Sequence, residues 1–144
     1  MEVTLKNVKL NVALSDETDC FSATIYIDGK RAATCGNRGN GGPNFYDFKD
    51  HTLRKSFEDY CKSLPYEGPY DLKMDAELYI SELLMKWEEN HQIKKWCKKK
   101  TIFRLKGDKK DQWRTYATPY HPDFGKKIRA KHGDQLEEIG NERF

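Results

Sequence analysis

Apolar residues at Phe21, Ala23, Ile25 and Ile27 alternate with Ser22, Thr24 and Tyr26, the period-two pattern of a half-buried strand. Asp28-Gly29 follows, a dipeptide favoured in type I′ turns because both central residues take positive φ. The segment KRAATC then returns alongside as the second strand of a hairpin. Counting outward from the turn pairs Ile27 with Lys30, Ser22 with Cys35 and Cys20 with Asn37, which would set Cys20 and Cys35 diagonally on one face. Upstream, Val3 and Leu5 are apolar on odd positions, whereas Val8, Leu10 and Val12 are apolar on even ones. The switch at Asn7 predicts a β-bulge within a strand over 3–12. An acidic connection, ALSDETDC, joins this strand to the hairpin, so the N-terminal third reads as a three-stranded antiparallel unit.

Helical spacing takes over downstream. Leu53, Phe57, Tyr60, Cys61 and Leu64 form one apolar stripe, which Asp47 or Asp50 can cap and which Pro65 ends. The loop PYEGPYDLKM leads to a longer helix starting at Asp75, with Met74 and Tyr79 placed as a hydrophobic staple. Ala76, Ile80, Leu83, Leu84 and Trp87 share a face that Ile93 and Trp96 extend. TIFRL, KGDKKD and QWRTYAT read as a second hairpin, with Ile102, Arg104, Trp113, Thr115 and Tyr116 at strand positions. A short helix follows Pro119-Tyr120-His121-Pro122, with Phe124 and Ile128 inward and Gly133 as its stop. The tail QLEEIGNERF is expected to add a closing strand. These elements make an α+β protein, an antiparallel sheet and a second hairpin packed with two to three helices, in a single domain over 1–144.

One stretch does not serve packing in any obvious way. Residues 36–44, GNRGNGGPN, hold four glycines before Phe45 and Tyr46, an entropic cost that a plain turn does not require. One reading is a ligand loop in which Arg38, Asn40, Gly41, Gly42, Asn44 and Tyr46 approach a nucleotide-type ligand, with backbone amides forming an anion nest. The other is a flexible link between strand and helix. The run matches neither GxxxxGK[ST] nor GxGxxG.

Charge adds a second candidate. The net charge is only +3, yet between His91 and Lys131 there are eleven lysines and three arginines against Asp108, Asp111 and Asp123. Lys94, Lys95, Lys98, Lys99, Lys100, Arg104, Lys106 and Arg114, interleaved with Trp96, Phe103, Trp113, Tyr116 and Tyr120, have the make-up of a patch for nucleic acid or an acidic partner. The alternative is a solvated lysine face over inward-turned rings. The lysines that end the long helix also complement its dipole without any ligand. A basic and an acidic pole on one chain also suit head-to-tail self-association.

Much enzyme chemistry has no foothold. There is no GxSxG, HExxH or Walker loop, and the close groups Asp47/Asp50/His51 and His121/Asp123 also have the spacing of helix caps. No catalytic residues, cofactor or metal are expected. The four cysteines, at 20, 35, 61 and 97, form no CxxC pair and read as reduced thiols. No apolar run approaches the ~20 residues that span a bilayer. The first residues show no basic segment followed by an apolar one, so no signal peptide, no membrane partner and a cytoplasmic location are expected.

The segments CFSATIYIDGKRA, GNGGPNFYDF, TIFRLKGDKKDQWRT and GNERF together resemble a group of small proteins of phage, prophage and bacterial genomes, over most of the chain. No functional residues carry over from the resemblance. It implies a compact accessory protein of a mobile element, acting in the host cytoplasm as a non-catalytic binding protein that inhibits a host component, including a defence system. The route would be a host protein surface or a sequestered nucleotide. A nucleic-acid-binding protein using the basic 94–131 region, and a small enzyme acting on a phosphorylated ligand at the glycine loop, are the alternatives.

Overall fold

The computed structural model describes all 144 residues. Contacts gather into two compact units, Met1–Trp87 and Glu88–Phe144.

In the first unit, β1 (Val3–Asn11), β2 (Cys20–Ile27), β3 (Lys30–Arg38) and β4 (Phe45–Phe48) form an antiparallel sheet in that order. Asp28 and Gly29 take φ of 51° and 80°, the paired positive values that a type I′ turn requires. Asn7, at φ 54°, opens the expected bulge between Lys6 and Lys9. The extra residue keeps Val3, Leu5, Val8 and Leu10 all packed against the core. Val12 leaves the strand for a short 3-10 turn and is exposed.

The β2–β3 pairing differs from the count made outward from the turn. Tyr26 faces Arg31 but Ile25 faces Ala33, so Ala32 is bulged and every later pair moves by one. Ser22 therefore meets Gly36, and Cys20 meets Arg38 instead of Asn37. A one-residue slip exchanges faces: Cys35 lies opposite Ala23 in the core, and Cys20 is on the other side of the sheet.

The sheet is covered by helices whose ends were legible locally. α1 (His51–Ser63) begins at Asp50, whose carboxylate accepts the amides of Thr52 and Leu53, and ends at Leu64, just before Pro65. α2 (Ala76–Cys97) begins at Asp75, whose Oδ1 accepts the Leu78 amide at 2.9 Å. Phe57 and Cys61 from α1 and Ile80 and Leu84 from α2 complete the core with Ile25 and Phe48. Each of these Phe, Ile and Leu side chains contributes about 1.5–3 kcal/mol by leaving water. Burial pushes the Cys35 and Cys61 thiols up to about 12. They stay protonated and act as small apolar groups.

The boundary between units falls within α2, after Trp87. In the second unit, β5 (Thr101–Leu105) is central, with β6 (Arg114–Tyr116) on one side and β7 (Leu136–Ile139) on the other, both antiparallel. Between them runs α3 (Pro122–His132), capped by His121 through the Asp123 amide and ended at Gly133, where φ is 55°. Ile128 packs with Phe103 and Ile139, and Phe124 flanks them. The architecture is α+β. Trp113 precedes β6 instead of lying in it.

Gly140 follows β7 where no side chain fits. An added Cβ would stand 2.6 Å from Cγ1 of Ile102, a fully buried side chain, and 3.0 Å from the Trp113 ring. Gly140→Ala is expected to cost about 1–3 kcal/mol by overpacking, read as a lower urea midpoint.

Candidate functional site

The glycine run leaves β3 and folds onto the acidic connection 13–20. The Gly39 carbonyl accepts the amides of Asp16, Glu17 and Thr18 at 3.2, 3.0 and 3.4 Å. Asn37, 7% exposed, sits at the centre. Its Oδ1 accepts the Thr18 hydroxyl at 2.7 Å and the Gly39 amide at 2.8 Å. Its Nδ2 donates to the Gly42 carbonyl at 2.9 Å and to Asn44 Oδ1 at 3.0 Å. The Gly41 amide turns to Thr18 Oγ1, and the Asn44 amide donates to Glu77 Oε1 at 2.9 Å. Three of the amides expected to form a nest are thus bonded within the chain.

This arrangement walls a cleft of about 450 Å3 whose floor includes Phe21 and Leu84. Of the residues expected at a ligand, Gly42 and Asn44 line it, and the Tyr46 hydroxyl donates to Glu77 at its edge. Arg38 does not, because Asn37 pairs with Phe21 on the core face while Arg38 pairs with Cys20 on the other. Asn40 is exposed. Asp16, Glu17, Asp19 and Glu77 instead surround the cleft, none in an ion pair. Their charge opposes a phosphate. The acidic connection was visible in the sequence; its contact with the glycine run was not.

The histidine–carboxylate groups are occupied as caps. Asp50 holds the first amides of α1, and His121 Nδ1 accepts the Asp123 amide. No group of three or more His, Cys, Asp or Glu side chains is placed to hold a metal ion.

The basic unit has a different character. Residues 88–144 hold fifteen Lys and Arg against nine Asp and Glu, a net +6. Every arginine there is engaged. Glu138 takes both Arg104 and Arg143, Glu142 takes Arg129, and Asp108 takes Arg114 at 2.9 and 3.1 Å. The Arg114 guanidinium, with the Leu105 amide, holds the Asp108 carboxyl down at about 2. Arg104 pairs with Glu138 across β7, whereas Arg114 faces Phe103, so the two arginines occupy opposite faces of the sheet.

The eleven lysines are all exposed and none has a carboxylate within 4 Å. They stand at the end of α2 (Lys94, Lys95, Lys98, Lys99, Lys100), in the β5–β6 turn (Lys106, Lys109, Lys110) and along α3. The rings between them mostly turn inward: Phe103 is buried and stacked on Tyr116, Trp113 lies under two guanidiniums, and the Tyr120 hydroxyl donates to Glu142. Trp96 and Phe144 remain open, at 37% and 55% exposure. No helix is long and apolar enough to cross a membrane. No family model, no curated protein and no solved structure matches this chain.

Proposed function

We propose that this chain is a non-catalytic binding protein that holds nucleic acid by its phosphates, using the lysines of residues 94–131. The observation that carries the reading is the division of labour among the cations. The arginines, suited to bidentate pairing, are consumed by carboxylates within the unit, while the eleven lysines are exposed and none has a carboxylate partner. Lysine is a compact point charge on a flexible stem. It neutralises phosphates without reading bases, and phosphate contacts set affinity more than sequence preference. The glycine-loop cleft is the poorer place for a phosphorylated ligand because four carboxylates surround it. The accessory role that the resemblance implies fits this proposal, the bound nucleic acid then being the host component that is withheld.

Fluorescence anisotropy with a labelled oligonucleotide tests it. For about four phosphate contacts, affinity is expected to fall about a hundredfold between 50 and 200 mM salt. Changing Lys98, Lys99 and Lys100 to Glu should abolish binding. No binding at low salt, or binding indifferent to salt, would overturn the proposal.

A further inference from the structure

The last turn of α2, the residues after it and the C-terminal tail border a shallow, open cleft of about 330 Å3, lined by Lys94, Cys97, Lys98, Tyr120, Asn141 and Phe144. Lys94, in the last turn of α2, and Lys98, in the turn that follows the helix, both line the cleft, and neither has a carboxylate within 4 Å. The walls are fixed from behind. Asn141 Oδ1 accepts the Ile102 amide at 2.8 Å and its Nδ2 donates to the Lys100 carbonyl at 2.9 Å, tying the tail to the end of α2. The Tyr120 ring is held through its hydroxyl by Glu142, which also takes Arg129. Burial raises the Cys97 thiol, so it adds no negative charge to the cleft. Phe144 is the most exposed of the unit's Phe, Tyr and Trp rings, and the Lys94 ammonium lies 4.9 Å over its face.

A half-exposed ring, with Lys94 over one face, beside two ammonium groups that have no carboxylate partner offers stacking and charge in one place. Duplex bases are stacked inside the helix and cannot use the ring; an unstacked base can. Resting on the nucleic-acid reading above, we propose that this cleft takes one nucleotide of a single strand, its phosphate on Lys94 and Lys98 and its base against Phe144, and that the protein prefers single strands to duplex.

Anisotropy with a labelled oligothymidine and a duplex of equal length, both at low salt, tests the preference. The unaltered chain is expected to bind the single strand at least tenfold tighter. Phe144→Ala should weaken single-strand binding by about five- to a hundredfold, the range for loss of one base–aromatic stack, and leave duplex affinity and the salt slope unchanged. Because Phe144 is half exposed, the variant should keep the parent's melting temperature. Its partner, Lys94→Ala with Lys98→Ala, should weaken single-strand binding and flatten the salt slope by about two contacts. Equal affinity for the two oligonucleotides, or a preference that survives Phe144→Ala, would overturn the cleft while salt-dependent binding kept the broader reading. Loss of all binding at low salt would overturn both.

Discussion

Asn37→Ala is expected to lower the stability of residues 1–87 by about 1–3 kcal/mol, because it removes four hydrogen bonds of about 1 kcal/mol each, the one to the Gly39 amide buried and the other three partly open to water through the cleft. The side chain is 7% exposed and uses both lone pairs and both amide protons, on Thr18, Gly39, Gly42 and Asn44. Alanine leaves the buried Gly39 amide without its acceptor. The Gly39 carbonyl is what the amides of residues 16–18 close upon, so the glycine run and the acidic connection should separate together. A urea titration followed by circular dichroism checks the size of the effect, with the midpoint falling at unchanged slope. Hydrogen exchange at Gly39 and Gly41 checks the place. Asn37→Asp should also destabilise: it keeps the two accepted bonds but loses both donated ones and adds a fifth carboxylate. A cost below about 1 kcal/mol for Asn37→Ala would mean that water replaces the side chain and the loop is not braced there.

What the sequence made legible was what is decided within a few residues. Asp28-Gly29 requires positive φ whatever surrounds it, Asp50 and Asp75 reach amides two or three positions away, and Gly133 ends α3 by its own backbone. Even the Asn7 bulge was readable, since apolar parity changes across it. The Ala32 bulge was not. Alanines at 32 and 33 give no contrast between faces, so the pattern cannot report which of them is looped out, and the slip carries Cys35 into the core. Asn37 is hidden for another reason. Its importance comes from Thr18, nineteen positions upstream, and neither residue stands out from its neighbours. The charge excess after residue 90 was plain by counting, but counting treats lysine and arginine alike. Only the fold shows that Glu138, thirty-four residues from Arg104, removes an arginine from the available cations.

That carboxylate supports the other large expected effect. The Arg104 side chain is 12% exposed and its Nε has no hydrogen-bond partner, so Glu138 is its one ionic contact. Arg143 shares the carboxylate, bonding at 2.8 and 3.0 Å, and both guanidiniums lie 5.0–5.1 Å from the Trp113 ring centre. Glu138→Ala would leave two like charges around one indole. Arg143 would keep a 4.0 Å contact with Glu89 and a 3.5 Å hydrogen bond to Asn90 Oδ1. Breaking a buried pair from one side costs about 3–5 kcal/mol; with Glu138 itself a quarter exposed, about 2–4 kcal/mol is expected. Trp96 and Trp113 fluorescence in urea reads it. The pH dependence has a definite sign. Arg143 first, then Arg104, hold the Glu138 carboxyl below its ordinary range against the opposing pull of burial. A lowered folded value means the stabilisation is complete above the unfolded carboxylate's pKa of about 4.3 and is lost as pH falls through the folded one. The gap between parent and Glu138→Ala should therefore narrow below about pH 4. Adding Arg104→Met to Glu138→Ala should recover part of the loss, since the uncompensated charge and not the missing packing dominates it. If the double variant is instead weaker than Glu138→Ala alone, Arg104 stabilises the unit through its contact with Trp113, and the cation–π geometry outweighs the ion pair.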